Sequence, residues 1–276
     1  MNGDLYIVST PIGNLEDITL RALNVLKDVD IIFAESVERT KKLLSHYRIN
    51  KKVLSYNKDN EQRKAKKIYE HLENSQNIAL VTDAGTPSIS DPGFYLLSNL
   101  KSDIRVIPIP GASSLSCAIS LSKIPINSFI FMGFLPKKTS ERKKKLFEIS
   151  LAGLPICLFE SKHRLIGLLK DVTEVFNHDT TVGVFRELTK VHETIMHETA
   201  SNLINYYKTN PPKGEFVLII SPKEVSNKPI EDYISIIRDL ISKKFTNKDI
   251  VEIINLFLNK PKKEIYKNVL SIRHDI

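Results

Sequence analysis

Short runs rich in β-branched and apolar residues recur along the first 220 positions, and the stretches between them carry apolar residues at helical spacing. Alternation of that kind has few solutions: strands laid mostly parallel, joined by helices that cover both faces of the sheet. Leu5 to Ser9, Ile31 to Glu35, Val53 to Tyr56, Asn77 to Asp83 and Arg105 to Pro108 read as buried strands, and helices are expected over about 19–29, 38–47, 60–74, 93–101 and 112–122.

The stretch Ser122 to Asn127 contains Pro125 and no helical pattern, so a boundary is placed there. A second α/β series follows, with strands expected at Phe129 to Met132, Ile156 to Phe159, Val182 to Leu188, Glu193 to Met196 and Phe216 to Ile220. Its helices are expected near 139–150, 163–176 and 199–208. Beyond Pro222 the pattern is wholly helical, with Ile230 to Lys244, Asn247 to Leu258 and Lys262 to Ile272 as helices. The expected organisation is an N-terminal α/β domain over 1–122, a C-terminal α/β domain over 123–222 and a helical module over 223–276. A chain of 276 residues, 42% hydrophobic, can fill two such cores. No fixed-period repeat or low-complexity segment competes with this reading.

An excess of 40 basic over 32 acidic residues gives a formal charge of +8, which favours an anionic partner such as RNA. Lys137 to Lys145 opens a new unit after Gly133-Phe134-Leu135-Pro136 and is expected to form a basic rim. Cys117 and Cys157 both lie in apolar segments and read as buried thiols, supporting neither a disulfide framework nor a zinc site. In His192-Glu193-Thr194-Ile195-Met196-His197 the histidines are five apart rather than four and the segment looks like a strand, so no metal site is assigned. Met1 to Asp4 carries no basic segment followed by an apolar run, and later apolar stretches are too short to cross a bilayer; a soluble cytoplasmic protein is expected.

Loops leaving the carboxyl ends of parallel strands border the crevice where ligands bind. Three stand out: Ser9 to Leu15 after the first strand, Thr82 to Gly93 after the fourth, and Pro110 to Ser114 after the fifth. Within the second, Asp91 has the character of a helix N-cap and Pro92 of a first helical residue, so that end reads as structural. Asp83-Ala84-Gly85-Thr86 has no such local explanation, and its small residues would let backbone approach a ligand. A Gly-x-Gly-x-x-Gly after the first strand and a phosphate loop are both missing, which disfavours hydride transfer and nucleotide hydrolysis.

Ser9-Thr-Pro-Ile-Gly-Asn-Leu-Glu-Asp-Ile-Thr19, Asp83-Ala-Gly-Thr-Pro-Ser-Ile-Ser-Asp-Pro-Gly93 and Gly133-Phe-Leu-Pro136 together resemble the branch of the tetrapyrrole methylases that methylates a cytidine ribose in small-subunit ribosomal RNA. Glu160-Ser-Lys-His-Arg-Leu165, Arg186-Glu-Leu-Thr-Lys190 and Lys213-Gly-Glu215 continue the likeness, which covers nearly the whole chain. The resemblance implies two α/β domains with S-adenosyl-L-methionine folded in the cleft between them, a homodimer, and 16S ribosomal RNA in the small subunit as acceptor. It implies cofactor contacts from Pro11, Gly85, Thr86, Ile89, Ser113 and Ser114 on one side and Phe159, Glu160 and Leu188 on the other. Phe159 and Leu188 read equally well as core residues.

After the second strand the branch carries Ala-Glu-Asp-Thr-Arg, whereas this chain has Ala34-Glu35-Ser36-Val37-Glu38-Arg39. Arg39 offers a cation one residue further along, rotated by about 100° around a helix. A ribose hydroxyl is a poor nucleophile, so a base or cation near it should assist an in-line displacement. Glu35, Arg39, Glu187 and Lys190 are the catalytic candidates, with Arg186 beside them: Glu187 to accept a proton, the cations to hold phosphate or developing oxyanion charge. A salt-bridge network explains Arg186, Glu187 and Lys190 as well. His163 and Arg164, at the start of a helix, read either as solvent-facing or as an anion contact. Two other functions fit the chain: methylation of a porphyrin-like small molecule, and RNA binding by a relative without catalysis.

Overall fold

The computed structural model describes residues 2–221, 233–258 and 261–274. Along the chain run β1 (Leu5–Val8), α1 (Leu20–Asp28), β2 (Ile31–Ala34), α2 (Val37–His46), β3 (Lys52–Ser55), α3 (Glu61–Glu73), β4 (Ile78–Val81), α4 (Phe94–Ser98), β5 (Val106–Ile109) and α5 (Ser114–Ser120). Then come β6 (Ile130–Phe134), α6 (Thr139–Ser150), β7 (Ile156–Ser161), α7 (Leu165–Val175), β8 (Thr181–Arg186), β9 (Thr194–Thr199), α8 (Ala200–Thr209) and β10 (Glu215–Ser221). Helices α9 (Tyr233–Ser242), α10 (Asn247–Leu258) and α11 (Lys262–His274) close the described chain. The expected boundary at 222 and the start of the helix expected from Ile230 lie outside the described residues. No helix among the described residues is long and apolar enough to cross a membrane.

The first sheet has the order β3-β2-β4-β1-β5, with every pair parallel. Its central strands β2 and β4, Ile-Ile-Phe-Ala and Ile-Ala-Leu-Val, are buried throughout, as a strand covered on both faces must be. Alternate side chains feed two cores: Ile32, Ala34, Ala79 and Val81 pack with Ala22 and Leu26 of α1, while Ile31, Phe33, Ile78 and Leu80 pack with Ile68 and Leu72 of α3. Strand order also sets the function of this layer. Because β4, β1 and β5 are neighbours, the three loops singled out in the sequence emerge side by side.

The second sheet, β6-β7-β10-β8-β9, is mixed: β6 and β7 are parallel, and the remaining pairs are antiparallel. It too is covered on both faces. Leu158, Val184 and Leu218 point into a core built with α6, α7, α8 and the C-terminal helices, whose Ile237, Leu240, Ile250 and Ile265 belong to the same cluster. Cys157, Phe185, Val217 and Ile219 point the other way, toward Ile12 of the first loop and Ala118 of α5. That apolar seam holds the two sheets together. Strand β8 ends at Arg186, so Glu187 and Leu188 lie in the turn to β9 and not in the strand expected through Leu188.

Most of the basic rim expected over Lys137 to Lys145 is paired off, with Lys137 and Lys138 staying exposed. Arg142 is buried against Asp171 at 2.5 Å, Lys143 pairs with Glu174, Lys144 with Asp249 and Lys145 with Glu148. Each of these cations meets a carboxylate that is close only in space, or sits on the next turn, which a run of like charges in the sequence conceals.

Candidate active site

A cleft of about 470 Å³ lies between the loops of the first sheet and one face of the second. Its floor is set by sheet register: Phe159 of β7, Val217 of β10 and Phe185 of β8 stand in one row. Ile12, Ile89 and Leu188 add apolar wall, and Ser114, Glu160, Ser161, Lys162 and His163 add polar groups. Phe159 packs edge-on against Phe131 and Phe134 at centroid distances of 5.1 and 5.7 Å, which fixes its ring.

All four catalytic candidates, Glu35, Arg39, Glu187 and Lys190, line this cleft, as do Ile89, Ser114, Phe159, Glu160 and Leu188 from the expected cofactor set. Pro11, Gly85, Thr86 and Ser113 are not in its walls; the last three brace the loops instead. Gly85, with φ +80°, exchanges backbone hydrogen bonds with Thr10 at 2.9 and 3.0 Å, so neither its N–H nor its carbonyl is left for a ligand. Thr86 Oγ1 lies 2.8 Å from Ser9 Oγ, and Ser113 caps α5 by accepting from the Ser116 N–H.

Ser36, which stands where the branch carries aspartate, is the N-cap of α2, its Oγ accepting from the Arg39 N–H at 3.4 Å. Its own N–H donates to Asp83 Oδ1 at 3.0 Å, and the Arg39 guanidinium lies 3.1 Å from Asp83 Oδ2. Asp83, unremarked in the sequence beyond its loop, therefore ties α2 to the loop after β4. On the far side, Glu187 Oε1 accepts from the Glu215 N–H at 2.9 Å and from Lys190 Nζ at 3.0 Å, and Lys190 reaches Glu215 at 3.0 Å. Burial works against the Glu187 carboxylate, but the Glu215 N–H and Lys190 outweigh it and hold its pKa below the ordinary value. The carboxylates of Glu187 and Glu215 outweigh the burial of Lys190 and raise its pKa. The salt-bridge network that the sequence left open for Glu187 and Lys190 is thus present. Arg186 stands apart from it, donating to the carbonyls of Lys213 and His192.

Glu160 is fully buried; burial pushes its pKa up, against the Ser161 N–H and Arg164. Its Oε1 accepts from the Ser161 N–H at 2.7 Å, while Oε2, 3.4 Å from Arg164, has no hydrogen bond. Arg164 faces inward, donating to the carbonyls of Leu135 and Pro136, whereas His163 is exposed at the cleft.

Asp91 is not an N-cap. Helix α4 begins at Phe94 with Gly93 in the cap position at φ +145°, and Ser88 and Ser90 hold φ values of +71° and +69°. These turns carry Asp91 onto the cleft wall. Ser90 in turn is pressed under Gly133, where a Cβ would fall 2.6 Å from Ser90 Oγ, which explains the glycine of Gly133-Phe134-Leu135-Pro136. Burial first, then the charges of Glu35 and Asp83, push the Asp91 carboxyl up to about 6 against the pull of Lys58. A run of turn-forming residues from Ser88 to Gly93, too dense for a helix start, was the available sign of this.

The family model of tetrapyrrole (corrin/porphyrin) methylases matches residues 4–204. Ribosomal RNA small subunit methyltransferase I of Haemophilus influenzae is 44% identical over 230 residues, 82% of this chain and 81% of that protein. The protein of the same name from Synechocystis sp. is 37% identical over 277 residues, covering 99% of both. The solved uroporphyrin-III C-methyltransferase of Thermus thermophilus complexed with S-adenyl homocysteine shares the fold, with a TM-score of 0.57 at 14% identity over 79% of this chain and 97% of that one. A match of this extent, borne by both sheets and the cleft between them, settles the lineage: the chain belongs to the tetrapyrrole methylase family.

Proposed function

We propose that this protein transfers the methyl group of S-adenosyl-L-methionine to the ribose 2'-hydroxyl of a cytidine in 16S ribosomal RNA, acting on the small ribosomal subunit as a cytoplasmic homodimer. The observation that carries this reading is a relative named as a small-subunit ribosomal RNA methyltransferase, alike at 37% identity over 99% of each chain. The homodimer rests on the family resemblance, and the compartment on the sequence pattern together with relatives named for ribosomal RNA methylation. The division at 122 and 222 is part of the proposal, supported by one complete five-stranded sheet in each of the first two stretches.

The cleft suits the donor. Its volume of about 470 Å³ lies within the range of small-molecule sites. Ile12, Phe159, Leu188 and Val217 offer apolar surface for a purine, and Glu160 Oε2, ion-paired with Arg164 but without a hydrogen bond, offers an acceptor for an amino group. S-adenosyl-L-methionine, when bound, supplies a methyl group activated by its sulfonium. The remaining work falls to the chain: to align the ribose oxygen with that methyl, and to hold RNA phosphate with cations on the cleft wall such as Arg39 and Lys162.

Labelled methyl transfer to purified small subunits, to naked ribosomal RNA and to a porphyrin precursor, together with mapping of ribose methylation in cells with and without the protein, tests this reading. Label should enter the subunit, and one ribose methylation should vanish without the protein. Label in the porphyrin alone would replace the acceptor. Donor binding with no transfer to any acceptor would instead support the non-catalytic relative.

A further inference from the structure

Among the carboxylates that line the cleft, most are already engaged. Asp83 has both oxygens held, by the Ser36 N–H and by Arg39. Glu187 and Glu215 share Lys190. Asp91 differs: no hydrogen bond or ion pair to its carboxylate is present among the described residues, and it opens onto the cleft.

Its placement is built by the fold at a conformational cost. Two non-glycine residues in the left-handed region, Ser88 and Ser90, precede Asp91, which could have capped α4 and does not. Such residues are disfavoured, and they persist where surrounding structure over-determines them. Gly133 of the second sheet lies directly against Ser90, leaving no room for a Cβ, so the residue before Asp91 is packed against the other wall of the cleft. On the opposite wall of the same cleft the fully buried Glu160 keeps Oε2 without a hydrogen bond, its ion-pair partner the Arg164 guanidinium at 3.4 Å, so it retains acceptor capacity for a polar ligand.

We propose that Asp91 is the general base of the methyl transfer. This rests on the functional reading above. Asp91 accepts the proton of the ribose 2'-hydroxyl while the oxygen lone pair forms the bond to the methyl carbon. The electron pair of the breaking carbon–sulfur bond stays on sulfur, the sulfonium becomes a neutral thioether, and the proton passes from Asp91 to water. A base works best with a pKa near the operating pH. Burial together with Glu35, Asp83 and Glu215, against the pull of Lys58, raises Asp91 to about 6, so it is ionised and still basic at neutrality.

The test is single-turnover transfer from labelled S-adenosyl-L-methionine to small ribosomal subunits by wild type, Asp91→Asn and Asp91→Glu across the acid-to-neutral range. Donor affinity and thermal melting are measured in parallel. Wild-type rate should fall as pH drops through about 6. Asp91→Asn, the same shape without the proton acceptor, should lose at least about a hundredfold in rate and the acid limb with it, at near-unchanged donor affinity. Asp91→Glu should recover part of the rate with a displaced limb. Wild-type turnover in Asp91→Asn, an unmoved acid limb in that variant, or a parallel loss of donor binding would each overturn the base assignment alone. A wild type that binds donor yet methylates no subunit would overturn the functional reading, and this assignment with it.

Discussion

Arg39 of α2 lies 3.1 Å from the carboxylate of Asp83, a residue 44 positions away on the loop after β4, and so turns its guanidinium toward the cleft. Ser36 completes the arrangement as N-cap, its N–H on the other Asp83 oxygen. The altered segment Ser36-Val37-Glu38 therefore keeps a capped helix and a cation at the cleft. The pair is exposed on the arginine side, so its worth to stability is small, about 0–1 kcal/mol. Arg39→Ala is expected to leave melting and donor affinity nearly unchanged while greatly reducing single-turnover methylation of small subunits. Unchanged turnover would show that the ion pair is merely a surface contact.

Gly85→Val is expected to weaken donor binding through the backbone and not through bulk. A Cβ there would meet Ile12 Cγ2 only at 3.5 Å, an ordinary contact, but φ +80° is a left-handed conformation that a β-branched residue resists. Forcing it costs about 1–2 kcal/mol and loosens the Thr10 bridge that shapes the first loop. Calorimetric titration with S-adenosyl-L-methionine should show lower affinity in a folded variant, and Gly85→Asn should be milder, since asparagine tolerates this region. Equal loss in both would point to sterics instead.

Gly13 has the opposite problem. A Cβ there would fall 2.4 Å from Lys190 Cγ, 2.7 Å from Thr189 Oγ1 and 2.8 Å from the Leu188 carbonyl, because the first loop lies directly on the turn after β8. The lysine can move and the carbonyl cannot. Overpacking of this kind costs about 1–3 kcal/mol, and Gly13→Ala should lower both the melting temperature and donor affinity by prising the two walls apart. A variant that melts and binds like wild type would mean the walls are not rigidly coupled.

Asp171→Ala should be the most destabilising of these substitutions. It would leave Arg142 charged and buried beside α7, a change worth about 3–5 kcal/mol, while Arg142→Met with Asp171→Leu should recover most of the loss. Chemical denaturation of the single and double variants decides this. Additive losses in the pair would contradict the assignment.

The sequence by itself determined the parts that depend on local pattern. Unbroken apolar runs such as Ile31–Ala34 and Ile78–Val81, short and set between helical patterns, read as strands covered on both faces, and the glycine and proline loops after β1, β4 and β5 marked one edge as the ligand edge before any strand order was known. Tertiary structure decided what depends on partners far apart in the chain. Strand order brought those loops together, and β10 entered the second sheet antiparallel, between β7 and β8. Spatial neighbours turned Arg142 from a rim cation into half of a buried pair. They also took Asp91 off its helix: a local rule favours aspartate followed by proline as a helix start, but Ser90, packed against Gly133 of the other sheet, holds a left-handed turn and the helix begins only at Phe94. A capping preference is worth about 1 kcal/mol, and packing between two sheets outweighs it.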